Sequence, residues 1–143
     1  MVRVNLINPK SLADQHLVAE YDEILMLLGY VRRYPEIKPG EIPAKYTLGK
    51  GHIKFFKDKI LYLKKRHECL KDEMRKRGFV PEKTINTNEF SKALVKDWVP
   101  NKQDKEIIKA RIIEKLRKKP VYYRYYGEYV GEKILVDLIK KSD

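Results

Sequence analysis

Apolar positions along this chain mark four helical stretches separated by segments without periodicity. Leu17, Tyr21, Ile24, Leu28 and Val31 recur at alternating steps of four and three, which is one face of a helix running to about Arg33. Ser11 reads as its cap, with Asp14 three residues on as a capping-box partner. Pro35, Pro39, Gly40 and Pro43 forbid regular structure, so 34–47 reads as a connecting loop. Ile53, Phe56, Ile60, Leu63, His67, Leu70 and Met74 then predict one long helix from Gly49 or Gly51 almost to Gly78, its C-cap. Residues 79–103 are less regular, with a helical turn around Phe90–Val95 and Trp98 as an anchor to the core. Asp104 reads as the cap of a third helix that carries Ile108, Ile112 and Leu116 and ends at Pro120. Ile134, Leu135, Leu138 and Ile139 mark a short amphipathic helix over 131–141, and 1–10 reads as an irregular arm ending at Pro9. The expectation is an all-α single domain over 1–143, three main helices with long connections and a short C-terminal helix.

Composition narrows the function. With 143 residues and 43% hydrophobic content there is material for one modest core. Lys and Arg number 32 against 20 Asp and Glu, and the net charge of +12 favours a polyanionic partner, nucleic acid before a membrane surface. Lys54, Lys57, Lys64, Lys65, Lys71 and Arg75 lie off the apolar stripe of the second helix, which makes that helix strongly basic. A single cysteine, Cys69, excludes an intrachain disulfide and a cysteine metal cluster, and it reads as a buried helix residue. His52 and His67 read as structural, and three scattered histidines make no zinc site. No apolar run approaches the roughly 18 residues of a membrane span, and the N-terminus lacks a signal-peptide core. The expected setting is the cytoplasm, in association with the nucleoid, with no metal and no cofactor.

Three features could carry chemistry. His16, Glu20 and Glu23 share one helix face beside the apolar stripe, where a carboxylate can be half-buried; solvated helix residues are the simpler reading. An α-amine has an ordinary pKa of about 7.7–8.0, so it is partly neutral near pH 7 and can attack an anomeric carbon to give a Schiff base. Val2 is small enough to permit removal of Met1. The run Tyr122-Tyr-Arg-Tyr-Tyr126 offers stacking faces and a phosphate partner, with about half of its rings expected in the core.

Blocks in the same order and nearly the same register make the chain resemble the phage-type endonuclease V family, the pyrimidine dimer DNA glycosylases. They are Arg3-Val-Asn-Leu6, Leu12-Ala-Asp-Gln-His-Leu17, Ala19-Glu-Tyr-Asp-Glu23, Leu48-Gly-Lys-Gly-His-Ile53, Phe55-Phe56, Asp58-Lys59, Arg77-Gly-Phe79, Ala110-Arg111, Glu114-Lys115 and Pro120-Val-Tyr-Tyr-Arg-Tyr-Tyr-Gly127. The resemblance implies a compact three-helix fold with the N-terminal arm between the first two helices. It implies a metal-independent glycosylase and abasic-site lyase acting on ultraviolet cyclobutane dimers in double-stranded DNA. The nucleophile would be the α-amine of Val2 and the catalytic carboxylate Glu23. Arg3, Gln15, His16 and Tyr21 match residues around the DNA and sugar, Arg111 and Lys115 match backbone contacts, and Tyr122, Tyr123, Arg124, Tyr125 and Tyr126 match a lesion-binding segment. The family extrudes a nucleotide, which costs least where damage has weakened stacking. Asp22 and Met26 stand where the family pattern has arginines. Two other readings stay open: a lyase for abasic sites or another damaged base, and a non-catalytic DNA-binding module. A monomer is the default for an enzyme that tracks a groove.

Overall fold

A computed structural model describes residues 3–143. Five helices follow in order: α1 (Asp14–Arg33), α2 (His52–Phe56), α3 (Ile60–Lys76), α4 (Lys102–Lys118) and α5 (Glu132–Lys141), with short 3-10 turns between them. The expected all-α class holds, and no strand forms among the described residues. None of these helices is long and apolar enough to cross a membrane.

The periodic residues of α1, from Leu17 to Val31, are all buried. Its start differs from expectation. The cap position is Ala13, which makes no side-chain bond, because the Asp14 carboxylate is engaged by a segment more than a hundred residues away. The long second helix is two helices, α2 and α3, broken at 57–59. The ammonium of buried Lys57 reaches away to the 34–48 loop, and that of Lys59 folds back onto the Phe55 carbonyl at 2.8 Å. The step of four from Phe56 to Ile60 carries the apolar spacing across the break, so periodicity alone conceals it. At α4 the cap is Asn101, whose side chain accepts from the Asp104 amide at 2.8 Å while Asp104 accepts from the Asn101 amide at 2.9 Å. Asp104 is therefore the third helical residue, not the cap.

Trp98 anchors its segment as expected, with its ring 5.1 Å from both Phe55 and Tyr62 and stacked on Tyr46 at 6.2 Å. The helical turn expected around Phe90–Val95 is two 3-10 turns, Thr87–Glu89 and Lys92–Leu94. Cys69 is exposed, contrary to expectation. Helix α5 packs on α4 and buries Leu135, Val136 and Ile139, while Ile134, expected in its stripe, is exposed, and the buried Lys109 ammonium donates to the Ser142 carbonyl.

The arm is the feature that positions everything else. Val4 and Ile7 are fully buried, and the backbone is held from three elements. The Val4 amide donates to His52 Nε2 at 2.8 Å, the Tyr46 hydroxyl donates to the Val4 carbonyl at 3.0 Å, and Arg66 of α3 donates to the Ile7 carbonyl. His52 Nδ1 donates to the Thr47 carbonyl at 2.9 Å, which fixes the tautomer that leaves Nε2 free to accept. Arg66 also grips Glu20 of α1 through two bonds of 2.7 and 2.9 Å, so one guanidinium joins arm, α1 and α3.

Candidate functional site

Glu20 and Glu23 sit four and seven residues beyond His16 on α1, yet their surroundings differ entirely. Glu20 is fully buried and saturated by Arg66. It is a structural carboxylate, and a buried pair of this kind is retained because neither charge can be left alone. Glu23 is half-buried and has no such partner among the described residues. Burial pushes its carboxyl up to about 7, against the opposing pull of Arg3 and Lys115. A carboxyl poised there can both hold and release a proton under ordinary conditions.

Described side chains on three elements act on Glu23: Arg3 on the arm, Lys115 on α4 and Glu20 on α1 itself. Arg3 arrives on the stapled arm and is buried. Lys115 arrives from α4, and Arg111, one turn before it, acts on Arg3 and Lys115 and is bonded to Glu114 at 2.8 Å. Burial first, then Arg3 and Arg111, draw the Lys115 ammonium below its usual range. His16 packs its ring 4.6 Å from Tyr123, and neither ring nitrogen has a partner among the described residues. Burial, together with Lys115 and Arg3, brings it down to about 4, so it is a neutral imidazole at pH 7. The arrangement is a protonatable carboxyl and a neutral imidazole inside a ring of cations, suited to an anionic, phosphate-bearing substrate at which positive charge develops.

Beside it lies the tyrosine-rich segment, and the first residues of α1 are spent on holding it. Gln15 donates to the Tyr122 carbonyl at 3.0 Å and accepts from the Arg124 amide at 2.9 Å. Asp14 accepts from the amides of Tyr126 and Gly127 at 3.0 and 2.8 Å. Tyr126 and Gly127 both have positive φ, 52° and 78°, as the central pair of a tight turn closed between Tyr125 and Glu128. Arg77 lies beneath this turn, 4.7 Å from the rings of both Tyr125 and Tyr126, and pairs with Asp14 and Glu73 at 2.9 Å each. The Tyr126 hydroxyl donates to Glu73 at 2.6 Å. Tyr123 and Tyr125 are half-buried while Tyr122 and Tyr126 stay exposed, matching the expected division of the rings. The two exposed rings, Tyr122 and Tyr126, border a groove of about 800 Å³ together with Phe79 and Tyr129.

The structure thus brings Arg3, His16, Glu23, Arg111 and Lys115 together, and sets Gln15 and Tyr122–Tyr126 on the adjoining surface. Tyr21 is apart from both: it is buried, stacked on His67 at 4.7 Å, with its hydroxyl accepting from the Lys83 amide. Val2 lies outside the described residues. Sequence reasoning missed Asp14 as an anchor and Arg77 and Glu73 as its partners; the i,i+4 spacing of Glu73 and Arg77 was the only local signal. It also missed Tyr129, whose hydroxyl accepts from Arg124 at 2.8 Å beneath a guanidinium 4.6 Å above the ring. Among the described residues no group of three or more His, Cys, Asp or Glu converges to hold a metal ion. The family model for pyrimidine dimer DNA glycosylase matches residues 1–87, the span that carries the arm, α1, α2 and α3.

Proposed function

The chain belongs to the pyrimidine dimer DNA glycosylase family, and from that premise we propose a two-step reaction on ultraviolet cyclobutane dimers. The neutral α-amine of Val2 attacks the sugar C1′ while the bond from C1′ to the base breaks and its electron pair leaves with the base. The amine then loses its protons as the sugar ring opens, giving an imine. Loss of a C2′ proton next drives cleavage of the C3′–O bond, and the strand is nicked with the phosphate as leaving group. Glu23 stabilises the cationic sugar as a carboxylate and moves protons in the later steps. Arg3, Arg111 and Lys115 hold the flanking phosphates, and the tyrosine-rich segment holds the distorted duplex.

The observation that carries this reading is Glu23: a carboxyl raised by burial to about 7, among cations, in a chain of this family. The test is borohydride trapping of protein lacking Met1 on a duplex with one thymine dimer, with undamaged duplex as control. An adduct mapping to Val2 is expected. Glu23→Gln is expected to lose base release and keep DNA binding; retained base release in that variant removes Glu23 from the mechanism. Asp22 and Met26 are both exposed next to Glu23. The negative charge of Asp22 favours a second reading, in which abasic sites are handled at least as well as dimers. Comparing the two duplexes at equal salt separates them.

A further inference from the structure

At the C-terminal end of α1, residues 35–41 fold back to enclose a cavity of about 580 Å³. Its floor is Lys57, whose buried ammonium donates to the Glu36 carbonyl at 2.6 Å and to Glu41 Oε2 at 2.9 Å. The loop is a formed turn rather than a loose connection. The Glu41 amide donates to the Lys38 carbonyl and the Lys38 amide to Glu41 Oε1, each at 3.0 Å, with Gly40 at φ +74° between them. Around the rim stand Tyr30, Arg33, Tyr34, Lys38 and Lys54. The two rings lie 5.1 Å apart, and Tyr34 is 52% exposed. Among the described residues, none of these three cationic groups and neither phenol hydroxyl has a hydrogen-bond or ion-pair partner. Five donors therefore face one cavity, opposed by the single unpaired carboxylate of Glu36. An excess of unspent donors and positive charge fits an anion with several acceptor oxygens, a phosphate.

The cavity is aligned with the site already described. Tyr30 follows Glu23 by seven residues, so at 3.6 residues per turn it returns to within about 20° of its face, and Tyr34 caps the helix one position past its end. The rise of 1.5 Å per residue puts them about 10 and 16 Å along the axis from Glu23. Successive phosphates of one strand are about 3.4 Å apart along a duplex.

We propose that this cavity is a second DNA contact, which grips the phosphodiester backbone about three to five nucleotides from the reacting sugar. Arg33, Lys38 and Lys54 pair with phosphate oxygens, and the tyrosine hydroxyls donate to the same group. The contact fixes where the protein sits along the strand without reading bases. It rests on the reading that duplex DNA is the substrate, but not on the imine chemistry.

The test is fluorescence anisotropy on duplexes carrying one uncleavable abasic analogue, with either flank cut from about ten base pairs to two, beyond the reach of the cavity. The wild-type protein is expected to lose affinity when one flank is shortened and not the other. R33Q/K54Q is expected to bind the full duplex about three- to ten-fold more weakly, to show a salt slope shallower by about one to two, and to ignore the shortened flank. R75Q/K76Q removes the same charge from exposed positions of α3 and is expected to keep the flank dependence. An R33Q/K54Q protein with the wild-type slope and flank dependence overturns the proposal, as does equal loss in the α3 control. Trapping on dimer DNA without flank dependence leaves the proposed chemistry standing and removes this contact; flank dependence without trapping does the reverse.

Discussion

Two glutamates one helical turn apart show how surroundings divide one residue type into two roles. Glu20 is paired out of reach of solvent, and its loss is a stability event. Glu20→Ala leaves Arg66 charged and buried, at an expected cost of about 3–5 kcal/mol in urea denaturation. Glu23 works against the fold. The folded protein keeps its proton to about pH 7, whereas the unfolded chain loses it near the ordinary 4.5. Its contribution to stability therefore declines as pH rises through that window. His16 acts oppositely: the unfolded chain takes up a proton near 6.5 and the folded protein only near 4, so stability grows with pH between them. Glu23→Gln is expected to be more stable than wild type at pH 8 and nearly equal to it at pH 4. Equal stability at pH 8 would mean that the Glu23 carboxyl is not strained by burial. The proposed use of ionised Glu23 also predicts base release that accelerates as pH rises through 7, which single-turnover assays would follow.

Elements are joined here by charged side chains as much as by apolar faces. Arg77 at the end of α3 holds Asp14 at the start of α1, Glu73 on its own helix and the two rings of the tyrosine turn. Arg77→Met should cost about 3–5 kcal/mol by stranding two buried carboxylates. It should also weaken binding to damaged duplex, because Tyr125 and Tyr126 lose the platform that aims them. Arg77→Lys should recover part of the stability and little of the binding, since an ammonium cannot stack flat against two rings. A lysine variant that binds like wild type would show that the platform is dispensable. These joints explain what could be read in advance. The stripes of α1 and α4 were legible because one apolar face is buried along each, whereas on α5 Ile134 is exposed and Val136 is buried in its stead. The break at Lys57–Lys59 was not legible, because Phe56 and Ile60 keep the helical spacing across it. Ser11 and Asp104 looked like caps by local rules. The real arrangement depends on Asp14 partners more than a hundred residues away and on Asn101, one position before the helix. For the proposed site, resemblance to a family pointed to Glu23 and the cations, which the fold brings together. Asp14, Glu73 and Arg77 were not legible, since their task exists only once the chain has closed.

At the scale of the whole molecule, the site is assembled from parts that depend on each other. The match to the family ends at residue 87, while Arg111, Lys115 and the tyrosine turn follow it. Helix α4 can present its two cations only while α5 covers Ile108, Ile112 and Leu116. Deleting residues 132–143 should therefore remove more than the ten residues of α5 from the helical signal in circular dichroism, because the 17 residues of α4 lose their cover as well. A loss confined to α5 would show that α4 stands without it.

The stapled arm has a further consequence for how the protein comes into being. During synthesis the arm leaves the ribosome before the groups that hold it, since Tyr46, His52 and Arg66 emerge 42 to 59 residues later. Until then Val4, Leu6 and Ile7 lack the groups that cover them, and the nascent chain carries an uncovered apolar stretch. The arm thus waits for partners up to 59 residues behind it, and can dock before α4 and α5 exist.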